Sequence, residues 1–341
     1  MVASLLKTEL PLVAAPMAGG PSTVALAKSV AATGGFPYLA GGYKTPDQLF
    51  DEIRQVRAFT DEFGVNLFVP RQGVLDLDAF DRFAQALQPI AEQFQVAISP
   101  EPVVHDHDLW EEKLDRLVQD PVPVVSFTFS LPEASEVTAL RGVGTRTIAT
   151  VTTVDEARAA SAIGVDGLVV QGPAAGGHSA THDPTRPITP MATEDLVRAV
   201  RAAVDLPITA AGGVDGPTAV RELLSAGAET VAVGTLLLRS DESGASVAHK
   251  DALAEPRFTE TSLTPVYTGR PARAFHNEFM DRFHHLAPIA YPAVHHLTRP
   301  IRQAAAKAHD FDWLHLWAGT GYREARTGPA ARILEHLATE L

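Results

Sequence analysis

Short apolar runs recur from residue 11 to residue 235, with alanine-rich amphipathic stretches between them. The runs are PLVAA (11–15), FPYLA (36–40), GVNLFV (64–69), VPVVSFTF (122–129), RTIATV (146–151), GLVVQ (167–171), LPITAA (206–211) and TVAVGT (230–235). Each is too short for a typical helix and lacks the alternation of a half-exposed strand, which suits strands buried on both faces. The intervening stretches, such as TVALAKSVAAT, VDEARAASAIG and GPTAVRELLSAGAE, place apolar residues at helical spacing. Strand and helix in alternation imply right-handed crossovers and a parallel sheet, and eight such units close a (β/α)₈ TIM barrel. A doubly wound open sheet is the alternative. A ninth apolar run, QVAIS (95–99), falls in the long interval between the third and fourth strands and reads as part of an elaboration there. The rhythm then changes. Residues 1–244 form the expected barrel, and residues 245–312, richer in His, Arg, Phe and Pro, form a smaller, mostly helical second domain or cap. Residues 313–341 carry apolar positions at helical spacing and are expected to pack back on the barrel.

Composition narrows the function. The net charge is −13, with no Lys/Arg block, so the chain lacks the clustered positive charge of a nucleic-acid partner. It has no cysteine, hence no disulfide, no thiolate nucleophile and no Cys-ligated metal. The opening MVASLLKTELPLVAAPMAGG is broken by Pro11 and Pro16 and reads as a first core strand rather than a leader. No apolar run approaches the roughly 20 residues that span a bilayer. A soluble, cytoplasmic protein without a membrane partner is expected, with homo-oligomerisation left open.

One stretch points to chemistry. In QGPAAGGHSATHDP (171–184) a histidine, His178, follows a glycine pair where a buried strand opens into a loop. Glycines also cluster after other strands, in APMAGG, AGGYKT, AAGGV and VGT. In α/β barrels this is the face that carries active sites, and the loops after strands seven and eight often cradle a phosphate. Here those loops hold Gly212, Gly213, Gly234 and Thr235. The P-loop, Rossmann, G-x-S-x-G and H-E-x-x-H motifs are absent. The HDHD stretch (105–108) alternates metal-ligand types but lies in a polar segment and reads as a solvated loop; no metal site is expected. The pairs His284–His285 and His295–His296 read as packing or surface residues, and His182 as a neighbour of His178.

The segments PLVAAPMAGG, FGVNLFVP, VVQGPAAGGH, ITAAGGV and VAVGTLLL, in that order, resemble the nitronate monooxygenases. The resemblance continues through TGRPARAFHNEF, YPAVHHLTRPIRQAA and LWAGTGYREA, and so covers nearly the whole chain. It implies an FMN-binding barrel that oxidises alkyl nitronates, or nitroalkanes, with O₂ to a carbonyl compound and nitrite. The family's histidine falls on His178, the expected catalytic residue. Its flavin-contacting positions fall on Met17, Asn66, Gln171, Gly176, Gly177, Gly212, Gly213, Gly234 and Thr235. The amides of Asn66 and Gln171 suit the flavin's pyrimidine edge. Lys44 is a candidate for stabilising reduced flavin, and Tyr291 for lining the substrate space. Two departures bear on the substrate: Ala174 stands where the family often has glutamate, and SATHDP replaces the commoner arginine–glycine pair. The related alternative is an FMN-dependent enoyl-acyl-carrier-protein reductase using NAD(P)H. A flavin- or ligand-binding barrel without turnover is the alternative of another class.

Overall fold

A computed structural model describes residues 5–70 and 75–341 of the chain; of the opening stretch weighed as a leader, residues 1–4 lie outside them. The first half runs β1 (Leu12–Ala14), α1 (Val24–Ala32), β2 (Tyr38–Ala40), α2 (Pro46–Arg57), β3 (Gly64–Phe68), α3 (Leu77–Gln93), α4 (Trp110–Gln119) and β4 (Val124–Thr128). It continues with α5 (Ala134–Gly142), β5 (Arg146–Val151), α6 (Val154–Ala162), β6 (Gly167–Gln171) and a two-residue strand β7 (Gly177–His178). Then come α7 (Thr193–Ala203), β8 (Ile208–Ala211), α8 (Pro217–Ser225), β9 (Thr230–Val233) and α9 (Val247–Ala252). The chain ends with β10 (Thr261–Thr264), β11 (Ala272–Phe275), α10 (Glu278–Phe283), α11 (Ala293–Ala308) and α12 (Ala330–Leu337).

Eight strands form one parallel sheet in the order β1-β9-β8-β6-β5-β4-β3-β2. A parallel bridge from Val13 to Phe36, just before β2, brings the two ends together and closes the barrel. Local chemistry explains the elements. In α2, the Thr45 side chain accepts from Gln48 while the Gln48 side chain bonds back to Thr45, Pro46 opens the helix, and Leu49, Phe50, Ile53 and Val56 face inward. The barrel strands are buried almost throughout, as in β9, where all four residues are buried.

The QVAIS run is not a strand. Gln95 takes a left-handed conformation just after α3, and Ile98 is buried against Phe80 and Phe83. Its apolar character serves helix packing. The interval between β3 and β4 divides its loyalties: α3 packs with α11, Phe279, Phe283 and Trp313, whereas α4 puts Leu114 and Leu117 against Leu67 and Phe127 of the barrel.

Residues 245–312 carry the helices α9, α10 and α11 joined by long loops, and they also contain β10 and β11, which join β7 in a three-stranded antiparallel sheet. The register sets Ala272 opposite His178 and Arg273 opposite Gly177. The tail bridges both bodies: Trp313, Leu316 and Tyr322 pack with α11, while Ile333, Leu334 and Leu337 pack with the barrel helices.

Candidate active site

The barrel strands β6, β8 and β9 end in glycine-rich loops that open beneath α11 and the tail. Between them lies a cavity of about 700 Å³. Met17, Lys44, Asn66, Gln171, His178 and the glycines Gly176, Gly177, Gly212, Gly213 and Gly234 line it together with Thr235. Tyr291 stands outside this lining; its ring packs 6.2 Å from that of His178 and 5.7 Å from that of Phe129.

His178 is held from three sides. Its backbone pairs with β11, and the Gln171 carboxamide donates to the His178 carbonyl at 3.2 Å while accepting from Ala180 N–H at 2.8 Å. Its Nε2 lies 2.9 Å from Thr268 Oγ1, and the Thr268 hydroxyl has the Arg270 carbonyl 3.4 Å away as acceptor. The rings of Phe129, Tyr291 and Trp317 wall the imidazole. Burial, then the guanidinium charges of Arg270 and Arg302, push its pKa down from the usual 6.5 to about 3. The imidazole is therefore neutral at physiological pH. Gln171, expected at the flavin, lines the cavity and also uses one N–H and its amide oxygen to position this loop.

Asn66 Nδ2 donates to Ser126 Oγ and Thr128 Oγ1, both at 2.9 Å, and to the Ser126 carbonyl at 3.3 Å. The carbonyl contact fixes the amide's orientation, so Oδ1 is the end left for a ligand's donor. Gly212 and Gly213 have φ of +105° and +83°, the left-handed region that side chains avoid. A Cβ on Gly176 would stand 2.5 Å from Gly319 N, so only glycine lets the tail close over this loop.

Over residues 2–340 the chain matches the family model described as nitronate monooxygenase. The chain belongs to the nitronate monooxygenase family. Among its relatives is a probable nitronate monooxygenase of Staphylococcus saprophyticus, 34% identical over 98% of this chain and 96% of the relative. A probable nitronate monooxygenase of Staphylococcus aureus is 33% identical over 99% and 96%. Among solved structures, the nitroalkane oxidase of Streptomyces ansochromogenes superposes with a TM-score of 0.93 at 43% identity, covering 98% of this chain and 96% of that one. FabK from Thermotoga maritima, at 23% identity, TM-score 0.75 and coverage of 98% and 94%, shares the fold.

Against this family background, several expectations take a definite form. Lys44 ion-pairs with Glu52 at 2.5 Å, which offsets its charge. The HDHD stretch is a loop with His105 and Asp106 exposed, as expected, and is anchored besides: Asp106 bonds His296 at 2.7 Å, and Asp108 pairs with the buried Lys113 at 2.8 Å. A buried ammonium needs that carboxylate, so the stretch is pinned at the cavity mouth. Among the described residues no group of three or more His, Asp or Glu could hold a metal, and no helix is long and apolar enough to cross a membrane. His182 Nε2–H donates to the Thr150 carbonyl, 3.0 Å away, and so braces the loop after β6.

Sequence reasoning missed Thr268, Trp317, Arg302 and His315 and assigned His295 to packing or the surface; all five line the cavity. They come from the cap and tail, where no glycine cluster advertises them. The alternation in ARAF, with Ala272 and Ala274 buried and Arg273 less so, was a signal for β11.

Proposed function

We propose that the chain is an FMN-dependent enzyme that oxidises small alkyl nitronates with O₂ to a carbonyl compound and nitrite. Family membership makes it a flavin-dependent oxidoreductase. The observation that carries the finer reading is a neutral His178 on the wall of a cavity rimmed by Gly212, Gly213 and Gly234. A volume of about 700 Å³ falls within the range of cofactor sites. The donor set also fits FMN: Cβ-free backbone after β8 and β9 for a phosphate, and Asn66 Oδ1 for a ring N–H. When bound, FMN would supply the electron acceptor and the route of electrons to O₂.

The chain's own residues do the rest. Thr268 Oγ–H has the Arg270 carbonyl as acceptor, so its oxygen accepts from His178 Nε2–H and the imidazole lone pair rests on Nδ1. A neutral imidazole can remove an α-proton from a nitroalkane; a preformed nitronate needs no such step. Phe129, Trp317 and Tyr291 pack around the imidazole and limit the directions from which water reaches it. The test is cofactor content. The purified protein should be yellow, with one non-covalent FMN per chain. Gly213→Asp, which sets a side chain and a negative charge where the phosphate would lie, should expel it. Wild-type protein that stays colourless and ignores added FMN would remove the reading.

A further inference from the structure

Helix α11 turns into the cavity a cation that has no counter-ion among the described residues. Its buried stripe runs through Val294, Thr298, Ile301, Arg302 and Ala305, so the spacing that docks the helix also points Arg302 inward. Arg302 is 5% exposed and lines the cavity. Its Nε donates to Thr298 Oγ1 at 3.0 Å, and its Nη2 to the His295 carbonyl at 3.0 Å and His295 Nδ1 at 3.4 Å. None of these partners is charged. His295 must be neutral to accept, and burial and the Arg302 charge hold its pKa near 2. Nη1 has no hydrogen-bond partner among the described residues, and no carboxylate pairs with the guanidinium.

The other ionisable groups around it do not balance the charge. Tyr267 is buried and raised far above its ordinary value, and Tyr43 is raised as well, so both are neutral; His178 and His315 are also held neutral; Arg299 adds a like charge. Burial lowers Arg302 itself only to about 10, so it stays protonated at neutral pH. A charge withdrawn from water without an opposite charge is a large cost, and a bound anion would offset it.

We propose that Arg302 is the anion-recognition residue of this site: its guanidinium binds the negatively charged oxygens of the nitronate and sets a preference for nitronate anions over neutral nitroalkanes. The inference rests on the nitronate reading above. Placement supports it. Arg302 bonds Thr298, whose hydroxyl donates to the Tyr267 carbonyl, and the next residue, Thr268, bonds His178. The cation and the imidazole are thus tied to one short segment on one wall. A nitronate spreads its charge over two oxygens in a plane, which the planar guanidinium matches with paired N–H donors. The two groups then divide the work: Arg302 holds the oxygens, and His178 faces the carbon when that carbon still carries its proton.

The same cation could instead answer an anionic part of the flavin, and the experiment separates the two. Flavin-loaded wild type, Arg302→Gln and Arg302→Lys are compared for KM and kcat with ethyl nitronate and with neutral nitroethane. Nitrate, an inert planar anion, is titrated by its perturbation of the flavin absorbance, and the flavin Kd is measured for each protein. Arg302→Gln should raise the nitronate KM and the nitrate Kd by about 10- to 100-fold, the scale of a charge-assisted hydrogen bond. The nitroethane KM and the flavin Kd should hardly move, and Arg302→Lys should recover part of the loss. Equal shifts for nitronate and nitroethane, or unchanged nitrate binding, would overturn the inference. So would a variant whose flavin affinity falls while nitrate still binds, which would assign the cation to the cofactor. If Arg302→Gln does not fold, Arg302→Lys carries the test: losing the two-pronged geometry should weaken nitronate by about 3- to 10-fold with nitroethane unmoved, and equal shifts overturn it. A wild type that binds nitrate but turns over no nitronate would leave the anion site standing and remove the nitronate reading instead.

Discussion

At the scale of single residues, the proposed chemistry turns on an imidazole kept neutral. The bond to Thr268 and the burial by Phe129, Tyr291 and Trp317 orient His178, and Arg270 and Arg302 make its protonated form costly. His178→Ala should therefore keep its flavin but lose about 10²- to 10⁴-fold in turnover of neutral nitroalkanes, the scale of general-base assistance. The loss on preformed nitronates should be smaller, and steady-state kinetics on both forms measures the difference. The depressed pKa adds a sign to the pH profile. An ordinary histidine would lose its lone pair as the pH falls through about 6.5, whereas His178 keeps it until about 3. The kcat/KM for nitroethane should show no fall with a midpoint near 6.5; such a fall would contradict the neutral-imidazole account. His178 and the rim glycines were legible because glycine before histidine after a buried strand is a local pattern. Arg302 and Thr268 were not. They reach the cavity from 90 or more residues away along the chain, and an inward arginine on an amphipathic helix has no sequence mark.

At the scale of elements, the strand that carries His178 belongs to two bodies at once. Residues 177–178 leave the barrel after β6 and pair with β11, so the cap hairpin, as well as the barrel, places the imidazole. The tail seals this junction: the Gly319 N–H donates to Thr235 Oγ1 at 2.9 Å, and Thr320 N–H to the Ala174 carbonyl at 3.1 Å. Gly176→Ala would force a Cβ to 2.5 Å from Gly319 N and 2.7 Å from the Ala318 carbonyl carbon. It should cost about 1–3 kcal/mol, typical of overpacking, and release the tail from the rim. Gly142→Ala is the control. It ends α5 with nothing within 4 Å of the added carbon, and alanine in a helix should leave stability unchanged or raise it. Urea denaturation of the two variants checks both. Equal effects would show that the 176–319 contact carries no strain. The eight barrel strands were readable because both faces are buried and the apolar runs are continuous. The three-stranded sheet was harder to read, since β7 has two residues and β10 and β11 four each, too few for a period to emerge.

At the scale of the whole molecule, the cavity joins barrel, cap and tail, and its walls gather four histidines whose pKa values are all lowered: His178, His249, His295 and His315. Burial is the first cause in each case. In the unfolded chain these groups take up protons below about pH 6.5. The folded protein binds them only at lower pH, so unfolding binds protons and stability falls as the pH drops below 6.5. The slope is up to about 1.4 kcal/mol per pH unit for each histidine. The urea midpoint should decline from about pH 7 to about pH 5, and a midpoint that holds steady would contradict the burial described here. Read from the sequence, α3 counted as a barrel elaboration, because its place in the strand order is all that a sequence displays. Its partners Phe279, Phe283 and Trp313 lie about two hundred residues onward, and only the closed fold brings them together.

The central claim is that this cavity oxidises nitronates through a flavin, and the most direct test is reduction of that flavin without oxygen. The protein is mixed anaerobically with a small alkyl nitronate, or with NADH or NADPH, while the visible flavin absorbance is followed; air is then admitted and nitrite assayed. NADH and NADPH belong in the experiment because the enoyl-acyl-carrier-protein reductase alternative would use them as reductants. The expected result is rapid loss of flavin absorbance with nitronate, little with either nicotinamide, and nitrite on aeration. Rapid reduction by NADH or NADPH, with no response to any of several nitronates, would contradict the account.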